Sequence, residues 1–201
     1  MRKLLLATTN RGKAAEYREM LAGLELELVT LDLAGISQEA AEDYATFEEN
    51  ARSKAVFYAG LSGLLTLADD SGLEVEALGG EPGVRSSRYA GDNATDADRV
   101  NFLLNKMKDV PAGSRQARFR CVIAIAEPGG AVQFTEGECS GSIALTPAGD
   151  NGFGYDPIFY VPEYNKTIAE LPPPVKNNIS HRGCAARKAN PILKALCTRP
   201  G

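Results

Sequence analysis

The chain has 201 residues, of which 44% are hydrophobic and 24% are charged, with a formal net charge of −4. This length and apolar content predict a single domain spanning residues 1–201 that buries a substantial core. The negative charge argues against a nucleic-acid partner, whose contact surface is basic, and no stretch is apolar enough to predict a membrane span. A small anionic ligand needs only a local cluster of Lys and Arg, so it remains compatible with this composition.

The cysteines and the beginning of the chain predict a cytoplasmic protein. The apolar run after Arg2 and Lys3 is interrupted at Thr8, too early for the hydrophobic region of a signal peptide. Cys-x-x-Cys pairs are absent from the sequence, which indicates neither a zinc site nor a disulfide framework. Reduced thiols are therefore expected at Cys121, Cys139, Cys184 and Cys197.

The predicted elements alternate between strands and helices. A strand over residues 3–8 leads into a helix over 12–21, and a second strand follows at 26–31. Thr46 and Glu49 have capping-box spacing, which predicts a helix from there to about residue 59. The later elements are a buried strand over 64–68, a strand over 73–78, a loop over 79–83, a helix over 95–107, a hairpin with strands 118–125 and 131–137, and a helix over 182–196. A strand–helix–strand start followed by a hairpin predicts a mixed α/β sheet.

Two adjacent carboxylates, Asp69 and Asp70, directly follow the buried strand over 64–68. Crowded like charges are costly unless a divalent cation, a Lys or an Arg lies beside them. Because side chains alternate along a strand, one Asp is expected to face a site while the other braces it. The alternative is a simple Asp-Asp-Ser-Gly turn, since Asp, Ser and Gly are all turn formers.

Two segments near the N-terminus carry groups that suit phosphate binding. Thr8-Thr9-Asn10-Arg11-Gly12-Lys13 connects a predicted strand to a helix, where backbone N–H groups, hydroxyls and the Lys13 ammonium attract anions. A simple helix cap with a surface lysine is the alternative. Lys54 lies four residues after Asn50 and so on the same helix face, where a solvated lysine is the ordinary interpretation.

Two further segments suit recognition of a base. Phe153-Gly154-Tyr155-Asp156 offers aromatic rings for stacking and a carboxylate that accepts from a ring N–H, although a core aromatic pair beside a turn is the alternative. The segment from Lys176 to Arg182 contains His181, the only histidine of the chain. A structural hydrogen bond is the usual role of a single histidine. Arg182 offers a guanidinium fork to the O6 and N7 acceptors of a purine.

Taken together, these segments resemble the inosine triphosphate pyrophosphatase family, whose members hydrolyse dITP, ITP and XTP. The matching segments are residues 7–13, Thr46 to Ala51 with Lys54-Ala55, Ala68-Asp69-Asp70-Ser71-Gly72-Leu73, residues 79–84 and 87–91, Gly152 to Phe159, and Ser180-His181-Arg182-Gly183. The resemblance implies a mixed α/β fold with an elongated twisted sheet, two lobes and an active-site cleft between them. It also implies a homodimer and Mg²⁺ as the cofactor.

The resemblance assigns a role to each candidate residue. Asp70 is the expected proton acceptor, and Glu42 and Asp70 are the expected metal carboxylates. Asp69 is expected to orient Asp70 or to reach the metal through a water. The expected substrate-binding residues are Thr8 to Lys13, Lys54, Ser71, Phe153 to Asp156, Lys176, His181 and Arg182.

These roles imply metal-assisted hydrolysis at the α-phosphorus that releases pyrophosphate and a nucleoside monophosphate. Donors from His181 and Arg182 would select the 6-oxo group of the base. Two alternatives remain. A Maf-type pyrophosphatase for pyrimidine or modified nucleotides is disfavoured by Ser180-His181-Arg182, and a nucleotide-binding sensor without turnover is disfavoured by Asp69-Asp70, which mere binding does not require.

Overall fold

The structure, a computed structural model, describes residues 2–197 of the chain, with only the backbone of Cys197, and contains a seven-stranded sheet. The strands are β1 (Arg2–Leu6), β2 (Leu26–Thr30), β3 (Leu65–Val75), β4 (Gln116–Ala126), β5 (Val132–Ile143), β6 (Phe159–Val161) and β7 (Lys166–Thr167). Their order is β2-β1-β3-β4-β5-β6-β7. Because β1 pairs in parallel with β2 and β3, and β6 in antiparallel fashion with β5 and β7, the predicted mixed sheet is confirmed.

The helices follow most of the predicted positions. They are α1 (Arg11–Met20), α2 (Phe47–Ser62), α3 (Asp96–Lys106), α4 (Pro173–Ile179) and α5 (His181–Cys197). The Thr46 hydroxyl caps α2 by accepting from the Glu49 backbone N–H, as the spacing predicted. Helix α4 was not predicted, because its first residues are prolines. Proline is tolerated in the first helical turn, where the missing N–H has no acceptor within the helix.

Strand β3 differs from its sequence-based prediction. Two strands at 64–68 and 73–78 were expected on either side of the acidic pair, but a single strand runs from Leu65 to Val75. The alternative prediction of an Asp-Asp-Ser-Gly turn is therefore wrong, because Asp69 and Asp70 lie within the strand. Residues 76–78, expected to be strand, form a short 3₁₀ turn.

The described chain divides into two compact units, each with its own apolar core. The first contains residues up to Asp70, residues 121–137 and residues from Arg182 onward. The second contains residues 71–120 and 138–181. Representative core residues are Leu4, Tyr17, Leu67, Ile123 and Leu193 in the first unit, and Leu73, Leu103, Phe119, Ile158 and Phe159 in the second.

Two glycines, Gly141 and Gly60, allow a test of how closely β5 and β6 pack. A Cβ at Gly141 of β5 would lie 2.4 Å from the Tyr160 carbonyl oxygen and 2.7 Å from a Phe159 ring carbon. We expect Gly141→Ala to lower the free energy of unfolding by about 1–3 kcal/mol, because the backbone of β6 must shift. At Gly60 of α2 nothing lies within 4 Å of a Cβ.

Gly60→Ala is the matched control, and it should raise stability by about 0.5–1 kcal/mol because alanine favours the helix. Urea unfolding monitored by circular dichroism measures both changes. Equal stabilities for the two variants would contradict the close approach of β5 and β6 at Gly141.

Candidate active site

Strand β3 presents its two adjacent carboxylates to different helices. Asp69 is 2% exposed and Asp70 is 7% exposed, so both charges are withdrawn from solvent. Asp69 contacts side chains of α1 and α5, whereas Asp70 contacts side chains of α2. The alternation expected for neighbouring strand residues is thereby confirmed.

Asp70 is held by two residues of helix α2. Asn50 Nδ2 donates to Asp70 Oδ2 at 3.1 Å, and Lys54 Nζ lies 3.4 Å from Asp70 Oδ1. Burial raises the pKa of Asp70 above its ordinary value, although the nearby Lys54 ammonium opposes the shift. A carboxylate with a raised pKa suits a proton acceptor better than an ordinary one.

Lys54 also contacts a second carboxylate. Its Nζ lies 3.2 Å from Glu42 Oε2, on the loop before α2, and the Lys54 side chain is 8% exposed. Burial lowers the pKa of Lys54, but Asp70 and Glu42 outweigh burial and raise it. Lys54 is therefore a buried cation shared by two carboxylates. The interpretation of Lys54 as a solvated surface lysine is wrong.

Asn50 was not among the predicted site residues. Besides Asp70, its amide contacts the backbone of Tyr44, accepting from the N–H at 3.1 Å and donating to the carbonyl at 3.3 Å. Asn50 therefore ties the loop before α2 to the carboxylate of β3. Its four-residue spacing from Lys54 was the signal in the sequence, since both residues had to share a helix face.

Asp69 forms the centre of a second buried charge cluster. Lys13 Nζ lies 2.9 Å from Asp69 Oδ2, and Arg182 Nε lies 3.5 Å from the same oxygen. Arg182 Nη1 also pairs with Glu16 of α1 at 2.5 Å. Burial alone would raise the pKa of Asp69, but Lys13 and Arg182 outweigh it and hold the pKa below its ordinary value.

The ion pairs of Asp69 were not expected from the sequence. The sequence predicted that Asp69 orients Asp70 or reaches the metal through a water, and the structure adds ion pairs to cations in the first turns of α1 and α5. The Cys121 thiol lies 3.8 Å from the same carboxylate. Glu16 and Cys121 were missed by the sequence analysis, because only the fold brings them beside Asp69.

The segment Thr8 to Lys13 forms the start of α1, as predicted. Asn10 is the N-cap, with its side chain accepting from the Lys13 backbone N–H at 3.0 Å. The Thr8 hydroxyl accepts from the Asn10 backbone N–H at 3.2 Å. The helix cap considered as an alternative is thus present, but the Lys13 side chain is directed to Asp69 and is only 15% exposed. The helix start predicted to bind an anion and the buried charge cluster therefore occur on the same turn of helix.

In the second unit, Lys176 of α4 meets the aromatic segment. Lys176 Nζ pairs with Asp156 Oδ2 at 2.5 Å and lies 4.8 Å from the centre of the Phe153 ring. The Phe153 backbone N–H donates to the same carboxylate oxygen at 2.9 Å. Gly152 permits this approach, since a Cβ there would lie 2.1 Å from Asp156 Oδ2. The structure thus brings three predicted residues together in one cluster.

The remaining predicted residues differ in their surroundings. Tyr155 is buried and donates from its hydroxyl to the Ser86 carbonyl at 2.9 Å, a core role that matches the alternative considered for this aromatic. Ser71 lies in β3 and is half-buried, and Gly154 donates from its N–H to Asp96. His181 stacks on Phe119 with ring centres 4.6 Å apart and is 5% exposed.

The carboxylates near Lys54 fit a divalent cation that also binds phosphate. Glu42 and Asp70 oxygens converge on the Lys54 ammonium, so their negative charges are arranged around one cationic position. Residues 2–197 contain no group of three or more His, Cys, Asp or Glu side chains that could hold a metal. Mg²⁺ commonly takes only one or two protein carboxylates and completes its shell with water and substrate phosphates. The donor set therefore fits such a cation.

The comparisons with known proteins agree with this combination of fold and site. The chain is a mixed α/β protein in which the inner strand β3 carries a buried carboxylate pair. The model of the Ham1 family matches residues 4–192, and the chain belongs to this family. It is 50% identical to a dITP/XTP pyrophosphatase of Desulforamulus reducens and 47% identical to one of Vibrio cholerae, covering at least 96% of each chain.

Solved structures give the same result. A Ham1 protein from Coxiella burnetii has a TM-score of 0.88 and 45% identity over 97% of this chain and 100% of its own. A structure described as a nucleoside-triphosphatase and dITP/XTP pyrophosphatase from Mycobacterium abscessus has a TM-score of 0.75 and 42% identity, covering 95% of this chain and 99% of its own. The family resemblance predicted from the sequence motifs is confirmed. Among residues 2–197, no helix has the length and hydropathy of a membrane span.

Asp69→Asn tests the buried charge cluster. Removing the negative charge leaves Lys13 and Arg182 without their shared partner, so the free energy of unfolding at pH 7 should fall by about 3 kcal/mol or more. Because the pKa of Asp69 is depressed in the folded state, its contribution is present above the unfolded pKa of about 3.9 and is lost as the pH falls toward the folded value.

The difference in stability between the wild type and Asp69→Asn should therefore be constant above about pH 5 and should narrow below about pH 4. Urea unfolding across this pH range measures it. Asp109→Asn, at an exposed position, is the matched control and should leave stability unchanged. A stability difference between the wild type and Asp69→Asn that is independent of pH would contradict the assigned role of the ion pairs.

Proposed function

We propose that the chain hydrolyses the non-standard purine nucleoside triphosphates dITP, ITP and XTP to the nucleoside monophosphate and pyrophosphate, and so cleanses the nucleotide pool. The observation that carries the proposal is the buried Asp70 carboxylate held by Asn50 and Lys54, in a chain whose relatives bear the name dITP/XTP pyrophosphatase. The raised pKa of Asp70 suits a group that accepts a proton from water. The Lys54 ammonium and the N-terminus of α1 supply the positive charge that hydrolysis of a phosphoanhydride needs.

Asp70 is the proposed proton acceptor. As the water attacks the α-phosphorus, Asp70 takes a proton from it, the new P–O bond forms, and the bond to the bridging oxygen breaks so that pyrophosphate departs. Asn50 and Lys54 hold the two Asp70 oxygens and so fix the carboxylate in place. This fixed position lets Asp70 act without first being ordered by the substrate.

The phosphate chain is the proposed ligand of the first turn of α1. Thr8, Thr9 and Asn10 supply hydroxyl and amide groups there, and the first backbone N–H groups of the helix attract anions. Lys13 and Lys54 add positive charge that offsets the roughly four negative charges of the triphosphate. Lys13 is also paired with Asp69, and this ion pair fixes the position of the Lys13 ammonium beside β3.

Mg²⁺ is the proposed cofactor, with Glu42 and Asp70 as the residues that would hold it. When bound, the cation would neutralise phosphate charge and lower the pKa of a water. Glu42 is about half exposed, so it can turn toward a ligand more readily than the buried Asp70.

We propose that the purine base of the substrate binds to the aromatic and basic residues of the site. Phe153 offers a half-buried ring beside Lys176 for stacking, and Ser71, Gly154, Tyr155 and Asp156 complete the proposed binding set. His181 and Arg182 would donate to the 6-oxo group of hypoxanthine or xanthine. Adenine presents an amino group instead, so a donor of the site would face a donor of the base.

The family resemblance also supports a homodimer that acts in the cytoplasm on a small-molecule substrate. The relatives at 42–50% identity share the name dITP/XTP pyrophosphatase, which supports neither the Maf-type nor the sensor alternative.

The direct test is product release from a set of nucleotides. Incubated with Mg²⁺ and ITP, dITP or XTP, the protein should release pyrophosphate and the monophosphate, with much less from ATP, GTP or dTTP. For ATP the difference should be at least tenfold, because the amino group of adenine would leave a donor of the site without an acceptor, which costs about 1–3 kcal/mol. Pyrophosphate and orthophosphate are quantified separately. Equal turnover of ATP, or release of orthophosphate alone, would overturn the proposal.

Asp70→Asn tests the assigned proton acceptor. The amide keeps the shape of the side chain but does not take a proton, so kcat for ITP should fall by about 100-fold or more. Binding of a non-hydrolysable ITP analogue, measured by calorimetry, should change much less. Asp109→Asn serves again as the exposed control with unchanged turnover. An Asp70→Asn protein with near wild-type kcat would mean that another group accepts the proton.

A further inference from the structure

One face of helix α2 holds the loop before it at regular intervals. Asn50, Lys54 and Tyr58 are four residues apart, so their side chains lie on the same face of the helix. All three residues are buried, although the loop over residues 38–44 is mostly exposed. Buried polar groups need hydrogen-bond partners, and this loop supplies several of them.

The Tyr58 hydroxyl binds the backbone of this loop at two points. It accepts from the Ala40 N–H at 3.3 Å and donates to the Gln38 carbonyl at 3.2 Å. Tyr58 is 4% exposed, so its hydroxyl is withdrawn from water and depends on these two partners. Tyr58 therefore fixes one end of the loop, as Asn50 fixes the other end at Tyr44.

The spacing of the contacts agrees between the helix and the loop. The contacts advance by four residues at a time along α2, from Asn50 to Tyr58. They move back by two residues at a time along the loop, from Tyr44 through Glu42 to Ala40. Four helical residues advance by about 6 Å, and two residues of extended chain span about 6.6 Å. Glu42 therefore lies midway between two points at which the loop backbone is held.

The middle contact differs in kind from the two outer ones. Asn50 and Tyr58 hold the loop backbone, whereas Lys54 meets the side chain of Glu42, which is about half exposed. The Glu42 carboxylate can therefore exchange the Lys54 ammonium for another cation while the loop stays on α2. Because ordering a free loop costs conformational entropy, the outer contacts lower the cost for Glu42 to bind a cation.

We propose that Tyr58 is a positioning residue for Glu42 and so strengthens the binding of a divalent cation. Its hydroxyl keeps the loop on α2, and the Glu42 carboxylate then stays at the same cationic position as the carboxylate of Asp70. The inference rests on the proposed function, in which Glu42 and Asp70 would hold Mg²⁺. It gives a role to a residue outside the sequence motifs that matched the family.

Tyr58→Phe tests the inference, because it removes only the hydroxyl. In the protein without metal, hydrogen exchange of the Ala40 amide, followed by NMR, should become about two- to tenfold faster, the factor that one hydrogen bond contributes to an equilibrium. Mn²⁺, which takes the same oxygen ligands as Mg²⁺, should bind more weakly by about the same factor, as measured by the relaxation of water protons.

Tyr160→Phe is the matched control. It removes a hydroxyl that donates to Asn165 in the second unit, so the exchange rate of Ala40 and the affinity for Mn²⁺ should both stay as in the wild type. For Tyr58→Phe, the Mg²⁺ concentration that gives half-maximal turnover of ITP should rise about two- to tenfold. Its kcat at saturating Mg²⁺ should change by less than about twofold, because the position of Asp70 does not depend on the Tyr58 hydroxyl.

Glu42→Gln separates positioning from a general loss of structure. In a Glu42→Gln protein, adding Tyr58→Phe should not weaken Mn²⁺ binding further, because the carboxylate that Tyr58 positions is gone. Unchanged Mn²⁺ affinity in Tyr58→Phe, or an equal loss in the Glu42→Gln protein, would overturn the inference. The exchange and Mn²⁺ measurements need no turnover. If the wild type releases no pyrophosphate from ITP but Tyr58→Phe weakens Mn²⁺ binding through Glu42, the proposed function fails and the positioning role stands.

Discussion

The ion pairs of Asp69 are the interaction on which the arrangement of the first unit depends. A single carboxylate in β3 contacts Lys13 of α1 and Arg182 of α5, and Arg182 extends the cluster to Glu16. Lys13 and Arg182 offset the free-energy cost of burying the Asp69 charge. Because of these ion pairs, a strand that carries two adjacent acids can remain in the sheet. Since Lys13 lies in the first turn of α1, the same contact also fixes the position of the segment proposed to bind phosphate.

The two carboxylates of β3 have opposite electrostatic surroundings although they are neighbours in the chain. Asp69 has a lowered pKa because two cations outweigh its burial, whereas Asp70 has a raised pKa because burial outweighs Lys54. One acid is therefore kept charged as a structural anchor, and the other is suited to exchange a proton. Strand alternation makes this division possible, because it directs the two side chains to different helices that supply different partners.

Much of the fold could be predicted from the sequence, but the acidic strand could not. Periodicity and capping residues placed α1, α2, α3 and α5 within a few residues of their observed bounds. The turn at Asp69-Asp70 was a reasonable local interpretation that the distant residues Lys13 and Arg182 overrule. Asn50 and Lys54 share a helix face and so were detectable, whereas Glu16 and Cys121 approach Asp69 only through the fold.

Lys54 has a consequence for how the site behaves between reaction cycles. Its ammonium contacts both Glu42 and Asp70, so the protein carries an internal counter-ion at the place where external positive charge would arrive. A divalent ion held by Glu42 and Asp70, as proposed above, would have to compete with this ammonium, so the free protein would have a low affinity for the ion. The negative charge of a bound triphosphate would favour the ion, so metal and substrate are expected to bind together.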